Sequence, residues 1–460
     1  MSLHPGVFVN RTLNMKRINY IGLDMDHTLI RYKTSNFEKL AHNVMLKKLV
    51  EQQGYPESVL KLKFDYSRAI RGLVIDKNKG NVIKLSRHAA IRASYHGLNR
   101  IDYKKQKTLY KSTYIDLGDS NYDPVDTSFS ISFATLFAQL VDLKDHSENH
   151  TLPDYATMAT DLAVVLDQAH RDGSIKDVIR NNIEDYIIKD QEIVDGLERF
   201  KKHDKKVFIA TNSDYAYTKL LLDYAITPLL KEHDHWSDVF EFTITLAQKP
   251  KFFTDNTPFL KVNPDDGSMT NVTGKVEKGG IYQGGCANRL TSDLNLDADE
   301  ILYIGDHIYG DILRLKKDCA WRTALVVEEL REEVDQFQKA QTTTEKINHL
   351  MAEKVPIERK LDDLISDQIE NDHQNHKDKI KKLTEDIQEI DKSLSPLIKE
   401  HDQFFNPYWG EVFRAGIEES YFAYQVERFA CIYMASLGDL FKQNPRTYFR
   451  SHRKSMAHEV

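Results

Sequence analysis

The feature that most constrains the fold is a short apolar run that stops at an acid. Residues 18–23, Ile-Asn-Tyr-Ile-Gly-Leu, are followed directly by Asp24. Such a run is typical of a buried parallel strand, which would deliver Asp24 to its carboxyl end. Similar runs lie at positions 206–210, 240–246 and 301–304, and each leads into polar residues. The chain is therefore predicted to be an α/β protein with a doubly wound parallel sheet, whose active site lies beyond the carboxyl ends of the strands.

The spacing of these runs predicts several domains. The first two runs are separated by far more residues than a crossover helix needs. Within that interval, residues 72–76 and 81–85 flank Lys-Asn-Lys-Gly and predict a hairpin. We expect a Rossmann-like core in two parts, residues 1–101 and 183–326, with a mainly helical cap over residues 102–182.

Residues 327–400 differ in composition from the core, with dense Glu, Lys, Asp and Gln. Apolar residues there alternate spacings of three and four, which is typical of a heptad seam. They are Ile380, Leu383, Ile387, Ile390, Leu394 and Leu397, with Ile357, Leu361, Leu364 and Ile365 as an antiparallel partner set. This predicts a long helical-hairpin insertion, either a solvated excursion or a partner-binding element. The aromatic-rich residues 401–460 are predicted to be a C-terminal helical segment that packs on the core.

Composition excludes some functions. The formal net charge of −7 argues against a general nucleic-acid binder, which needs a basic surface. No apolar stretch approaches the length of a membrane-spanning helix, and the N-terminal residues do not resemble a signal peptide. The three cysteines have neither zinc-site spacing nor the pattern of a disulfide framework. We therefore expect a cytoplasmic protein that contacts neither nucleic acid nor membrane.

The central motif is Asp24-Met-Asp26-His-Thr-Leu. A carboxylate at a strand end can act as a nucleophile toward phosphorus. A second carboxylate two residues later can protonate the leaving oxygen and then activate water. Asp-x-Asp alone is common in ordinary turns, but directly after an apolar strand it is much more specific.

Further polar residues follow the later strand-like runs. Thr211 and Asn212 can donate hydrogen bonds to a phosphoryl group, although Thr-Asn after a strand is more often a helix N-cap. Lys249 offers positive charge, although a loop lysine is usually solvated. Asp306 and Asp311 supply the hard oxygen ligands that Mg²⁺ prefers, or else cap a helix. The order of all these elements along the chain favours a Mg²⁺-dependent phosphatase.

These motifs resemble the haloacid-dehalogenase (HAD) superfamily and, more narrowly, the cytosolic purine 5′-nucleotidases that prefer IMP and GMP. The resemblance is carried by residues 8–11 (Phe-Val-Asn-Arg), 71–74 (Arg-Gly-Leu-Val), 210–215 (Ala-Thr-Asn-Ser-Asp-Tyr), 249–250 (Lys-Pro), 303–308 (Tyr-Ile-Gly-Asp-His-Ile) and 321–323 (Trp-Arg-Thr). It implies hydrolysis of purine nucleoside 5′-monophosphates through an aspartyl-phosphate, and transfer of that phosphate to another nucleoside. The alternatives are a HAD phosphatase for another small phosphorylated metabolite, and an inactive binding or scaffolding protein.

The resemblance also implies roles for the catalytic residues. Asp24 would be the nucleophile and a metal ligand, and Asp26 the general acid/base whose backbone carbonyl also binds Mg²⁺. Asp306 would complete the protein's metal ligands, with Asp311 close by in the substrate-side network. The residues that would bind the transferring phosphoryl group are Thr211, Asn212 and Lys249.

The cap supplies the expected substrate residues. Apolar residues of segment 153–172 fall on one helical face, whereas Asp167 and Arg171 fall on the opposite face. An ordinary exposed charged face is the alternative reading of that pattern. By resemblance, the substrate residues are Asp167, His170 and Lys176, with Phe129 as the aromatic that stacks on the base. Ala163 stands where the family carries an arginine, so part of the base recognition must differ.

The family resemblance further implies regulation and assembly. Residues matching a second nucleotide site are Tyr309, Lys317, Gln425, Arg428 and Phe429. The basic and amide residues that the family places before the cap do not align with Asp116 and Asp126, which leaves the effector's identity open. A homo-oligomer is expected, with a tetramer as the form that the resemblance suggests.

Overall fold

The computed structural model describes residues 4–111, 114–146, 152–371 and 376–451. Its contacts divide the chain into two compact units: Met1–Glu328 with Val412–Val460, and Glu329–Glu411. The second unit begins close to the predicted start of the insertion at residue 327 and extends beyond its predicted end at residue 400. Contacts do not separate a core from a cap within the first unit, so that division stays a prediction.

A large sheet of ten strands, counted among the described residues, forms the centre of the first unit. All neighbours from Ile432–Met434 across to Gly280–Gly284 run parallel, and antiparallel strands complete both edges. In spatial order the strands are Val7–Val9, Ile432–Met434, Arg322–Val326, Ile301–Gly305, Tyr20–Leu23, Lys206–Ala210, Phe242–Thr245, Gly280–Gly284, Phe259–Val262 and Met269–Asn271.

The strand that delivers Asp24, Tyr20–Leu23, lies between Lys206–Ala210 and Ile301–Gly305. After Tyr20–Leu23, the chain builds one side of the sheet before it returns to build the other. Tyr20–Leu23 is thus the topological switch point, where an open α/β sheet forms its ligand crevice. The predicted α/β class and all four predicted strands are confirmed, whereas Gly280–Gly284, Arg322–Val326 and Ile432–Met434 were not predicted as strands.

Tyr20–Leu23 is buried on both faces, as its apolar sequence predicts. Ile21 and Leu23 pack into one apolar cluster, whereas Tyr20 packs into another. A Cβ at Gly22 would come within 2.5 Å of the Phe208 ring and 2.7 Å of the Tyr303 ring. Glycine is therefore required at this position, because the two rings close directly over the strand.

A second, antiparallel sheet in the first unit contains the predicted hairpin. Leu73 pairs with Lys84 and Asp76 with Asn81. Residues 102–182 also contribute a strand to this sheet, which the helical prediction for that segment did not include. The order of the sheet is Asn99–Arg100, Ile91–His96, Asn81–Leu85, Leu73–Asp76 and Tyr122–Val125. Short two-stranded pairings join Leu13–Asn14 to Tyr448–Phe449, Arg31–Tyr32 to Ile187–Ile188, and Arg414–Ala415 to Glu418–Glu419.

Helices Thr34–Gln53, Ile131–His146 and Tyr155–Arg171 pack against one another. In the last of these, the cap helix, the buried residues fall on one face, as predicted, and Asp154 accepts from the Thr157 amide to cap its start. None of the helices among the described residues is long and apolar enough to cross a membrane. The other α-helices of this unit are Tyr103–Tyr110, Lys176–Asn181, Ile183–Tyr186, Gln191–Lys202, Tyr215–Ala225, Trp236–Val239, Lys251–Thr254, Ala287–Leu294, Arg314–Asp318, Tyr421–Phe429 and Leu437–Phe441.

The second unit consists mainly of two helices, Glu329–Asn371 and Lys377–Asp402. The Thr343 hydroxyl donates to Glu400 at 2.9 Å, and the Lys354 amine lies 2.7 Å from an Asp391 oxygen. Early residues of the first helix thus contact late residues of the second, so the helices are antiparallel. The predicted helical hairpin is confirmed.

Candidate active site

Asp24 lies at the centre of the candidate site, directly after Tyr20–Leu23. Its backbone amide donates to the Ile304 carbonyl at 2.8 Å, which fixes it between two strand ends. The Met25 amide donates to Asp24 Oδ1 at 2.7 Å, and Lys249 Nζ lies 2.7 Å from the same oxygen. The side chain is only 12% exposed. One carboxylate is therefore buried, oriented and paired with a cation.

Lys249 connects Asp24 to a second acid. Its Nζ lies 2.7 Å from Asp311 Oδ1 and donates to the Tyr303 hydroxyl at 3.0 Å. The Tyr303 hydroxyl in turn donates to the Ala210 carbonyl at 2.9 Å. Burial lowers the pKa of Lys249, but Asp24 and Asp311 outweigh burial and hold that pKa well above its ordinary value. Lys249 is consequently a fixed positive charge at the strand ends.

Three carboxylates converge at this edge of the sheet. Ligand oxygens of Asp24, Asp306 and Asp311 all lie within 4.8 Å of one another. Asp306 Oδ2 is buried without a hydrogen-bond partner among the described residues. Burial raises the pKa of Asp306 to about 7, and burial likewise raises the pKa of Asp24 well above its usual range, against the opposing effect of Lys249. Buried carboxylates this close together, one of them with an orphaned oxygen, fit a hard divalent cation.

Asp26 is held by two hydroxyl groups. Tyr32 donates to Oδ1 at 2.6 Å, and Ser213 donates to Oδ2 at 2.9 Å. Burial raises the pKa of the Asp26 carboxyl, while the bonds from Tyr32 and Ser213 oppose that shift. A raised pKa suits a group that must carry a proton near neutral pH. Neither hydroxyl was predicted to contact Asp26: Ser213 is 187 residues away along the chain, and Tyr32, although only six residues away, reaches Asp26 through a turn that no sequence pattern specifies.

Asn212 ties two loops together. Its Nδ2 donates to the Lys249 carbonyl at 3.1 Å, and its Oδ1 accepts from the Lys249 amide at 2.6 Å. The hydroxyl of Thr211, which is fully buried, accepts from the Ser213 amide at 3.0 Å. Asn212 thus contacts Lys249, and Thr211 contacts Ser213, which binds Asp26. The predicted contacts of Thr211 and Asn212 with the phosphoryl group stay predictions.

The aromatic residues predicted for the base lie together. The Phe129 ring is 5.5 Å from the His170 ring and 4.6 Å from the His27 ring, both edge-on. Phe37 stacks on His170 with a centroid separation of 6.2 Å. Burial, assisted by nearby Lys176, lowers the pKa of His170 to about 4. His170 is therefore neutral at physiological pH and offers one donor and one acceptor.

The charged substrate residues of the cap have other partners. Asp167 and Arg171 form an ion pair of 3.0 Å on the exposed face of the cap helix, with side chains 57% and 78% exposed. Ala163 is exposed on the same helix. Lys176 pairs with Asp214 at 2.6 Å, and its amine lies 4.9 Å from the centre of the Tyr217 ring. The structure therefore brings Phe129 and His170 together, but leaves Asp167 facing solvent.

Part of the predicted second nucleotide site assembles around Phe429. The Lys317 amine lies 5.6 Å from the ring centre and the Arg428 guanidinium 5.3 Å. Gln425 is on the same helix as Arg428, and Tyr309 lies on the turn Ile308–Leu313, 47% exposed. An aromatic ring flanked by two cations is chemically suited to a nucleotide, and its regulatory role stays a prediction.

Solved structures of low similarity were found. The chain aligns with a beta-phosphoglucomutase from Pyrococcus at 10% identity and a TM-score of 0.31, over 67% of this chain and 87% of that one. It aligns with CbbY from Rhodobacter sphaeroides, solved in complex with phosphate, at 12% identity and a TM-score of 0.23, over 67% and 86%. The α/β fold is assigned from the strand order described above and not from these similarities.

The site thus has a carboxylate at the switch point of a parallel sheet, a second acid two residues later, and a lysine and further acids at adjacent strand ends. This is the arrangement that the sequence motifs predict for a phosphatase. The sequence model of the 5′ nucleotidase family matches residues 7–460, and the chain belongs to that family. It is 26% identical to a 5′-nucleotidase domain-containing protein of Dictyostelium discoideum, over 98% of this chain and 74% of the relative. It is also 26% identical to human 5′-nucleotidase domain-containing protein 2, over 100% and 86%. The resemblance of the motifs to a 5′-nucleotidase family is thereby confirmed.

Proposed function

We propose that this chain is a Mg²⁺-dependent 5′-nucleotidase that hydrolyses purine nucleoside 5′-monophosphates, with IMP and GMP preferred over AMP. The observation that carries the proposal is the buried cluster in which Asp24 and Asp311 both lie 2.7 Å from Lys249. Such a cluster offers a nucleophile with a neighbouring cation already in place. Membership of the 5′ nucleotidase family supports nucleotides as the substrate class.

The chemistry proceeds in two displacements. An Asp24 oxygen attacks phosphorus and the bond to the nucleoside O5′ breaks, while Asp26 delivers its proton to that leaving oxygen. Asp26, now ionised, removes a proton from water, which attacks the aspartyl-phosphate and releases phosphate with Asp24 regenerated. Tyr32 and Ser213 hold the Asp26 carboxyl in place for both proton transfers. Lys249 offsets charge that would otherwise repel an anionic substrate.

The three-carboxylate cluster is where Mg²⁺ would bind. Asp24 and Asp306 would hold the ion, the second through its orphaned oxygen, and Asp311 lies beside them. The backbone carbonyl of Asp26 is the further ligand that the family resemblance implies. A bound Mg²⁺ supplies positive charge at the transferring phosphoryl oxygens.

Base preference would come from the cap. Phe129 would stack on the purine, and Asp167 would accept a hydrogen bond from its N1 proton. Hypoxanthine and guanine carry that proton, whereas adenine presents a lone pair that would face the carboxylate. Because Asp167 is exposed and paired with Arg171, binding has to redirect its carboxylate toward the base. Arg171 would then be free to contact the 6-oxo group, in place of the arginine missing at Ala163.

Other elements of the proposal concern acceptors, regulation and assembly. A nucleoside hydroxyl in place of water would make the same phosphoenzyme a phosphotransferase. A nucleotide effector at the Phe429 cluster, and a homo-oligomer with a tetramer as the expected form, follow from the family resemblance. The competing proposal is a phosphatase of identical chemistry for another small phosphorylated metabolite.

A panel of phosphate esters tests the proposal. The panel comprises IMP, GMP, AMP, pyrimidine monophosphates and sugar phosphates at one Mg²⁺ concentration, with Asp24→Asn as the blank. We expect the highest kcat/KM for IMP and GMP. A sugar phosphate turned over faster than every nucleotide would contradict the proposed substrate and favour the competing one.

A further inference from the structure

Arg71 is a buried cation that the proposed chemistry does not use. Its side chain is among the largest that are fully buried, with 1% of the residue exposed. It directly precedes Gly72, which has a φ of +87° and leads into the strand Leu73–Asp76. Burying a guanidinium is costly unless its donors are satisfied, so the contacts that satisfy them indicate what this residue does.

The guanidinium contacts the loop that carries Asp306. One nitrogen, Nη1, donates to the Asp306 carbonyl at 2.9 Å and to the Val326 carbonyl at 3.3 Å. Asp306 directly follows the strand Ile301–Gly305, and Val326 is the last residue of the adjacent strand Arg322–Val326. Arg71 therefore fixes the backbone that places the Asp306 carboxyl.

A second guanidinium nitrogen contacts the segment that carries Phe129. Nη2 donates to the Ser128 hydroxyl at 2.6 Å, and Ser128 directly precedes Phe129. Beyond Phe129, the Ser132 amide donates to the fully buried Glu38 at 2.5 Å. The segment that carries Phe129 is thus held by a buried polar side chain on each side, and on one side that side chain, Arg71, also holds the Asp306 loop.

We propose that Arg71 is a positioning residue that fixes the separation between the Asp306 loop and the Phe129 segment, so that the two ends of a nucleotide are bound in register. The proposal rests on the proposed nucleotidase function. A rigid, planar fork with donors on two nitrogens can span both segments, whereas the single ammonium of a lysine cannot. Misplacement of about 1 Å in a site of this kind can reduce the rate by roughly 10²-fold.

The experiment compares Arg71→Lys with Ser128→Ala on two substrates. IMP needs both ends of the site, whereas p-nitrophenyl phosphate has no purine and needs only the phosphoryl end. We expect Arg71→Lys to reduce kcat/KM for IMP by roughly 10²-fold, and to raise the Mg²⁺ concentration for half-maximal activity with both substrates. Ser128→Ala severs only the link toward Phe129, so it should raise KM for IMP and leave the p-nitrophenyl phosphate kinetics and the Mg²⁺ requirement unchanged.

Equal losses on both substrates in Arg71→Lys, together with wild-type kinetics in Ser128→Ala, would overturn the proposal and leave Arg71 a purely structural residue. If Arg71→Lys does not fold, Ser128→Ala decides alone. A KM that is raised for IMP but not for p-nitrophenyl phosphate supports the proposal, and unchanged kinetics on both substrates refute it. Measurements on the wild-type enzyme distinguish failure of the Arg71 proposal from failure of the proposed nucleotidase function. Equal turnover of IMP and sugar phosphates by the wild type would contradict the nucleotidase proposal itself.

Discussion

The two ends of the candidate site are built differently. At the phosphoryl end, Asp24, Lys249 and Asp311 have side chains 12%, 4% and 2% exposed and lie in direct contact. At the base end, Asp167 and Arg171 pair with each other on the solvent-exposed face of the cap helix. The charges that would drive the proposed chemistry are already oriented in the absence of substrate, whereas the groups that would read the base become available only when a ligand separates them.

This difference predicts that the phosphoryl end contributes mainly to the reaction rate, and the base end mainly to the preference among substrates. Fixed charges in a site shielded from water contribute strongly to rate, because nothing reorganises during the reaction. An exposed ion pair contributes little, with a typical value of about 0–1 kcal/mol. Substitutions at the phosphoryl end should therefore abolish turnover, and those at the base end should only change the ratio between substrates.

The largest effect is expected for Asp24→Asn. The amide is nearly isosteric but is a far poorer nucleophile, so turnover should fall by roughly 10⁶-fold, as when a serine protease loses its nucleophile. The measurement is acid trapping of the phosphoenzyme, with circular dichroism as the control for folding. Activity near wild type in a folded variant would refute the assignment.

Removal of the metal should have the next largest effect. We expect activity to require Mg²⁺, to vanish with excess chelator, and to return on adding the ion back. Asp306→Ala should raise the Mg²⁺ requirement or eliminate activity, because it removes the orphaned buried oxygen. Asp299→Ala is a matched control at an exposed acid. Full activity in excess chelator would contradict the metal site.

A smaller loss is expected for Asp26→Asn. A positioned acid/base contributes roughly 10²–10⁴-fold, and both formation and breakdown of the phosphoenzyme should slow. Tyr32→Phe keeps the carboxyl but removes the bond to Oδ1, so it should show a milder loss in the same steps. Single-turnover kinetics resolves the two steps, and unchanged rates for both in Asp26→Asn would exclude the proposed role.

The smallest effect is expected at the base end. A well-buried hydrogen bond can reject the wrong substrate by as much as about 10⁴-fold, but exposure of Asp167 should reduce that factor to roughly tenfold. Asp167→Ala should bring kcat/KM for IMP, GMP and AMP closer together without lowering all three. Gln168→Ala, at an exposed position on the same helix, is the control. Retention of the original ratios in Asp167→Ala would show that another group reads the base.

The sequence predicted the fold where local patterns carry it. Unbroken apolar runs predicted Tyr20–Leu23 and Ile301–Gly305, because strands buried on both faces need apolar residues throughout. Gly280–Gly284 was missed because its glycines and Gln283 disguise a strand that lies near the edge of the parallel part. Ile432–Met434 was missed because three residues give no periodicity to detect.

The contacts of the candidate site also fall into those that the sequence predicted and those that it did not. The motif order indicated that Asp24, Lys249 and Asp306 meet, because the carboxyl ends of parallel strands share one edge of the sheet. The contacts of Tyr32 with Asp26, and of Arg71 with Ser128, depend on how separate elements pack, which no local pattern encodes. Asp311 was assigned to the substrate side, yet the structure pairs it with Lys249. Its role stays a prediction.

The position of Ile432–Met434 in the sheet has a consequence for how the protein folds during synthesis. This strand pairs on one side with Val7–Val9 and on the other with Arg322–Val326. At 5–20 residues per second, the ribosome reaches Ile432 roughly 20–85 s after it makes Val9, and roughly 5–20 s after it makes Val326. During the second interval, both partners present unpaired edges that can recruit other chains. We therefore expect completion of the sheet to be a late event, and nascent chains that stall before Ile432 to aggregate or to depend on chaperones.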